Sequence, residues 1–172
     1  MKKQKFPISD NPICFSDVYF RVGGANYKGK VKNCVTINSN DVIGDNFWVW
    51  RADHGDNVGW DMNTAPNGIV INGDNVTMYG LFVEHFQEYQ TIWNGNGGKL
   101  YFYQSEMPYD APNQKYYMSH NGKVKGYASF KIDDEVNDFY GCGLGIYCYN
   151  RDANIEIFSG AEIPDKDGVE IR

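Results

Sequence analysis

The sequence predicts an all-β fold, a single-stranded right-handed parallel β-helix, and three observations carry that reading. A gapless repeat of strand, asparagine turn and strand runs through the middle of the chain. The 19 glycines, with asparagine recurring beside glycine or aspartate, supply corners, while 13 tyrosines, 10 phenylalanines and 4 tryptophans supply strand surface. Helical periodicity is nowhere sustained over three turns; Val83 to Gln90, the one short candidate, reads as strand plus loop.

The repeat aligns without gaps. Ile37-Asn38-Ser39-Asn40-Asp41-Val42 leads to Phe47-Trp48-Val49-Trp50, Ile71-Asn72-Gly73-Asp74-Asn75-Val76 leads to Leu81-Phe82-Val83-Glu84, and Trp93-Asn94-Gly95-Asn96-Gly97-Gly98 leads to Tyr103-Gln104-Ser105-Glu106. The offsets are 34 residues from Ile37 to Ile71 and 22 from Ile71 to Trp93. One such unit has too little apolar surface to close a core alone; stacked on its copies, it does. Asparagine and glycine tolerate left-handed backbone at the corner, and stacked asparagines can hydrogen-bond along the ladder.

Weaker elements flank the repeat. Asp17 to Val22 reads as a first strand. After a loop from Met107 to Lys125, strands are expected at Gly126–Ile132, Gly143–Tyr149, Ala153–Phe158 and Gly168–Ile171. The reading is one domain over 1–172, with a core from about residue 13 and an N-terminal extension over 1–12. A β-sandwich would explain the strand count but not the gapless asparagine repeat.

Charge narrows the partners. Sixteen Lys and Arg against 22 Asp and Glu leave a net charge of −6, and no basic cluster exceeds Lys2-Lys3. Nucleic acid is therefore not the expected partner, because its affinity rests on clustered cations. No apolar run follows the basic N-terminus, so no signal peptide is read and no membrane span is expected, leaving the compartment open. Cys14, Cys34, Cys142 and Cys148 lack paired metal spacing; Cys14–Cys34 or Cys142–Cys148 bridges and buried free thiols are equally compatible with the sequence.

Glu84 and Glu106 share the 22-residue offset of Asn72 and Asn94, so they should occupy one position on adjacent coils, about 5 Å apart. Two ionised carboxylates there repel by roughly 3 kcal/mol at an effective dielectric of about 20, enough to hold a proton on one of them. Paired carboxyls are the usual equipment for cleaving a glycosidic bond; the alternative is that both point into solvent and relax apart. Around them stand candidate saccharide-binding residues: Trp48, Trp50, Asp53 and His54 one coil earlier, His85 after Glu84, and Trp93, Tyr103, Gln104 and Tyr109 beside Glu106. Alternation separates Trp48 and Trp50 from Val49 and Arg51. Asp53-His54 echoes Glu84-His85 at an offset of 31 in place of 34, so whether Asp53 joins the carboxylate ladder is open. Asp53, Glu84, Glu106 and Asp110 are also oxygen ligands of the type calcium uses, but no compact acidic loop accompanies them, and no cofactor is expected.

Four strings carry a resemblance that spans Asp10 to Tyr149: Ser16 to Gly24, Phe47 to His54, Gly80 to Gln87, and Trp93-Asn94-Gly95 through Tyr101 to Glu106. The stretch resembles a segment of large bacterial secreted proteins that often carry discoidin (coagulation factor 5/8 type) domains, and is in turn similar to the exo-β-1,3-glucanase (laminarinase) family of glycoside hydrolases. The resemblance implies a pectin-lyase-like β-helix, the second of two in tandem with a sugar pocket between them, and an extracellular setting. It implies inverting, metal-independent hydrolysis with Glu84 and Glu106 both in the active site and Glu106 the general acid; the stacked pair adds the expectation that Glu84 tunes it. This chain has room for one β-helix, while the family's water-positioning groups come from the other. Carboxyls about 5 Å apart are too close to be an inverting pair unaided. The expectation is therefore a shortened β-helix acting on polysaccharide or oligosaccharide, self-associating or joined by a missing partner β-helix because open ends expose backbone. The alternative is a non-catalytic carbohydrate-binding or structural module.

Overall fold

The structure, a computed structural model, describes residues 10–25 and 28–172. Six strands lie side by side in one parallel sheet, in the order β1 (Ile13–Val22), β3 (Val42–Arg51), β5 (Thr77–Glu84), β7 (Gly98–Glu106), β11 (Phe139–Tyr147) and β13 (Val169–Ile171). A second parallel sheet runs β2 (Asn33–Ile37), β4 (Asn67–Ile71), β6 (Thr91–Trp93), β10 (Phe130–Ile132) and β12 (Ala161–Glu162). The chain alternates between the two sheets and advances one place each time, which is a parallel β-helix. Its interior is one apolar cluster from both sheets, including Phe47, Val49, Ile69, Ile71, Leu81, Val83, Trp93, Leu100, Tyr103, Phe130 and Phe139. On the outer side of β1 and β2 no strand pairs among the described residues.

The corner after the second sheet explains the sequence repeat. Asn94 Nδ2 donates to Asn72 Oδ1 and Asn72 Nδ2 to Asn38 Oδ1, each at 2.7 Å. Beside this ladder runs another, in which the Asp74, Asn96 and Asn137 N–H groups donate to the side chains of Asn40, Asp74 and Asn96. The left-handed backbone falls at Asp41, Asn75 and Gly97, three residues beyond the stacked asparagines. Gly73 and Gly95 serve closeness: a Cβ on Gly95 would lie 1.7 Å from the Gly73 carbonyl oxygen. Gly95→Ala is expected to cost about 2–3 kcal/mol by forcing adjacent coils apart, read as a lower urea midpoint at unchanged m.

A second ladder of left-handed residues crosses the large sheet. Asp17, Asn46, Gly80, Phe102 and Gly143 have φ of 55, 53, 64, 62 and 70°, and the pairing on either side places them in one row. Each inserts one residue that breaks the in/out alternation. In β5 Met78 is buried, and the next buried positions are Leu81 and Val83; in β7 Leu100 is followed by Tyr103 and Ser105. Unbroken alternation from Met78 and Leu100 would drive Glu84 and Glu106 into the core. The bend turns both outward.

Two expected strands differ. Of Gly126–Ile132 only Phe130–Ile132 is strand, and Ala153–Phe158 forms none. There Ile155 and Ile157 pack with Ala111, Tyr117 and Trp60, so apolar alternation is satisfied by a satellite cluster of loops. The long loop after β7 carries a 3₁₀ turn at Gln114–Tyr116 and the antiparallel pair β8 (Met118–Ser119) and β9 (Val124–Lys125). All four cysteines are free, and burial pushes the Cys34 thiol up to about 11.

Candidate active site

Of the turns that leave one end of the large sheet, the four after β3, β5, β7 and β11 shape the site by their lengths. The turns after β3, β7 and β11 are long, spanning 52–66, 107–129 and 148–160, whereas the one after β5 is only 85–90. The long turns rise around the end of β5. In register across the floor are Trp50, Glu84, Glu106 and Tyr147, one from each of β3, β5, β7 and β11. The two glutamates are therefore rungs on adjacent hydrogen-bonded strands, about 4.8 Å apart at the backbone. Asp53 is not a rung, because Trp50 holds that place; it enters from the turn after β3.

Each carboxyl has its own setting. Glu84 Oε2 accepts from the Trp48 indole N–H at 2.8 Å, and Trp48 stacks on Trp50 at 5.5 Å between centroids. Burial raises the Glu84 pKa above the ordinary carboxylate range; the Trp48 bond opposes this, and repulsion from Glu106 and Asp53 adds to it. The repulsion expected from stacking is thus present, but desolvation is the larger cause. Glu106 Oε2 accepts from the Tyr109 hydroxyl, and Gln104 Nε2 donates to Oε1 at 3.3 Å. Tyr109 is held protonated, first by burial and then by Glu106 beside it.

Behind the glutamates lies a charged row. His85 Nε2 stands 3.6 Å from Glu106 Oε2 and 3.7 Å from Asp53 Oδ1. Asp53 also meets His54 Nδ1 at 2.8 Å and Arg151 Nη1 at 3.2 Å. Burial alone would push Asp53 upward, but His85 and His54 outweigh it and hold its pKa below the usual value. Beneath them Arg51, fully buried, grips Asp110 through Nη1 at 2.9 Å and Nη2 at 2.8 Å, and donates to the carbonyls of Asn63, Gly59 and His85. This one guanidinium ties the turns after β3, β5 and β7 together. No grouping of three or more His, Cys, Asp or Glu that could hold a metal occurs among the described residues, and Asp110 is committed to Arg51.

A family model described as the LAM55 pectate lyase-like domain matches residues 2–106. The chain belongs to that family. An exo-beta-1,3-glucanase from Streptomyces sp. (strain SirexAA-E / ActE) is 49% identical over 160 residues, which are 92% of this chain and 26% of that protein. The structure of sacteLam55A from Streptomyces sp. SirexAA-E superposes with a TM-score of 0.93 at 46% identity, covering 98% of this chain and 30% of the other. A variant of sacteLam55A in complex with glucose gives a TM-score of 0.88 at 45% identity, covering 94% of this chain and 29% of that one. The chain thus spans less than a third of the length of these relatives.

Within this LAM55 domain, Trp48, Trp50, Asp53, His54, Gln104 and Tyr109 gather with Glu84 and Glu106 at one end of the sheet. Trp93 and Tyr103 do not. Both are fully buried in the helix interior, Tyr103 with its hydroxyl on Thr91 and Ser129. The bend at Phe102 resets alternation so that Tyr103 faces inward while Gln104 and Glu106 face out. Trp93 lies on the second sheet, packed against Phe130 and Phe139. His85 is only 3% exposed, so it backs the carboxyls and does not line a surface. Three residues escaped the sequence reading: Tyr147, Tyr149 and Arg151, the tyrosines half-exposed beside Tyr109 and the arginine crossing to Asp53. Carrying the gapless register one strand further, 41 residues from Glu106, would have found Tyr147, though not Tyr149 and Arg151 in the turn beyond it; the long turn after β7 hides that spacing.

The Glu84 setting has a consequence for stability. A carboxyl with a raised folded pKa contributes fully below its unfolded value and loses that contribution as pH rises through the folded one. Glu84→Gln is expected to stabilise the fold near pH 7 by a few tenths to about 1 kcal/mol, allowing for solvent screening, with no difference below about pH 4. Paired thermal melts across pH check this; an equal gap at every pH would show that the carboxylate charge is not the cause.

Proposed function

We propose that this chain is a polysaccharide-active β-helix domain contributing a carboxyl pair to hydrolysis of β-1,3-glucan. The observation that carries the reading is the register of Glu84 on Glu106, with stacked tryptophans on one neighbouring strand and a row of tyrosines on the other side. In it Glu106 delivers a proton to the leaving glycosidic oxygen, and Glu84 tunes the neighbouring charge. Trp48 and Tyr149 offer flat ring faces for the C–H surfaces of sugar rings, while Trp50, with the Arg21 guanidinium over its ring, backs Trp48. The relatives support the substrate class, one named an exo-beta-1,3-glucanase and another bound to glucose.

A second reading is favoured by coverage: the chain spans 26% of the glucanase. Groups that position the attacking water would then come from another β-helix, and this domain alone would bind saccharide without turning it over. Pairing with such a domain, or with a second copy, belongs to the same proposal and is supported by the outer edges of β1 and β2, on which no strand pairs among the described residues. Product analysis on a panel of β-glucans, with parallel titration of tryptophan fluorescence by β-1,3-gluco-oligosaccharides, separates the readings. Glucose release selective for β-1,3 linkages supports hydrolysis; saturable binding without release supports the binding module; neither, from folded protein, removes both.

A further inference from the structure

We propose that His85 and Glu106, 3.6 Å apart, hold one proton as an electrostatically coupled pair with Asp53 beside them, so that ring and carboxyl act as one proton-carrying unit. The inference deepens the reading of Glu106 as proton donor and rests on it for its kinetic meaning, but its physical basis is independent of turnover.

His85 adopts φ +66° immediately after β5. That left-handed conformation is costly for a side chain other than glycine or asparagine and persists only where surroundings over-determine it. Here they do: the His85 N–H donates to the Glu106 carbonyl at 2.8 Å, and its own carbonyl accepts from Arg51 at 3.1 Å. The strain turns the imidazole inward, edge-on to Tyr109 at 4.4 Å between centroids.

The ring's orientation sets the tautomer. Nδ1 lies 3.2 Å from the Met107 carbonyl oxygen, which can only accept, so Nδ1 carries a hydrogen. In the neutral ring Nε2 is then a lone pair, and it faces Glu106 Oε2 and Asp53 Oδ1. A lone pair opposed by two carboxylates is repulsive on both sides. One proton between Nε2 and Glu106 removes the conflict. The groups facing the ring are Asp53 from the turn after β3, Glu106 from β7, and Tyr109 and Asp110 from the turn after β7; Glu84 precedes it in the chain. Burial pulls the His85 pKa below its ordinary value, while Asp53, the Met107 carbonyl, Glu106 and Asp110 oppose that pull.

In the proposed reaction, Glu106 gives its proton to the leaving oxygen as the glycosidic bond breaks. Its carboxylate then faces the Nε2 lone pair, and the unit regains one proton from solvent, matching the proton released by the attacking water. His85 is a positioning residue here: it touches Glu106, not substrate.

The test is nitrogen-detected NMR titration of the intact chain with labelled histidine. Its three histidines are told apart by the signals that disappear in His85→Gln, which leaves the pairing of His54 with Asp53 in place. The neutral His85 ring is expected to carry its hydrogen on Nδ1, against the usual preference of free imidazole. Its midpoint is expected to move to lower pH by roughly one unit in Glu106→Gln and again in Asp53→Asn, as each removes a facing carboxylate. A neutral ring protonated on Nε2, or a midpoint unmoved by both substitutions, overturns the proposal. If no β-glucan is cleaved, the hydrolase reading fails while the titration still decides the coupling.

Discussion

Asp110→Ala is expected to be the most damaging single substitution in the molecule, lowering stability by about 3–5 kcal/mol and the melting temperature by roughly 10 °C. Arg51 is fully buried and its guanidinium meets both Asp110 oxygens below 3 Å. Removing the carboxylate leaves an uncompensated cation in the interior, the costly case for a buried pair, whereas replacing both partners with apolar residues avoids it. The double variant Arg51→Met/Asp110→Leu should therefore recover much of the lost stability. It should not recover the site, because the hydrogen bonds from Arg51 to the Asn63, Gly59 and His85 carbonyls are lost with the guanidinium. Chemical denaturation of the three variants checks the first statement and oligosaccharide titration the second. Equal destabilisation by single and double variants would show that packing, not charge, dominates here.

If the proposed hydrolase reading holds, Glu106→Gln is expected to lose β-1,3-glucan hydrolysis by about 10²–10⁴-fold with folding intact. Glutamine keeps the shape and can still accept from Tyr109, but has no proton to give. A β-glucoside whose leaving group is a nitrophenolate needs little protonation to depart, so its hydrolysis should fall far less. That contrast separates a proton donor from a residue that merely shapes the cleft, which would impair both substrates alike. Glu84→Gln is the necessary companion, since Glu84 is the glutamate whose pKa burial raises. If Glu84→Gln shows the leaving-group contrast and Glu106→Gln does not, the two roles are exchanged.

Much of the architecture was legible in the residues because it is repetitive. Stacking one coil on the next requires a residue at a given height to sit above its counterpart, so Asn38, Asn72 and Asn94 recur at the spacings that their side-chain ladder demands. Glu84 and Glu106 inherit the shorter of those spacings, and their adjacency followed by counting. Counting failed where insertions vary. The long turns after β7 and β11 concealed Tyr147, Tyr149 and Arg151, and Ala153–Phe158 kept strand-like alternation while packing as a loop.

Residue order alone specifies the coil, its corner asparagines and the pairing of two acidic residues, since all three are periodic. The direction in which side chains face is settled by the folded backbone, because a single left-handed residue per coil inverts everything beyond it. Asn46 and Gly80 hint at such a bend, but Phe102 carries no local signal, and so Tyr103 passed for a surface residue. The setting of each carboxyl was likewise decided in three dimensions. Burial, the Trp48 indole and the His85–Asp53 row come from turns distant in sequence, and desolvation depends on all of them at once.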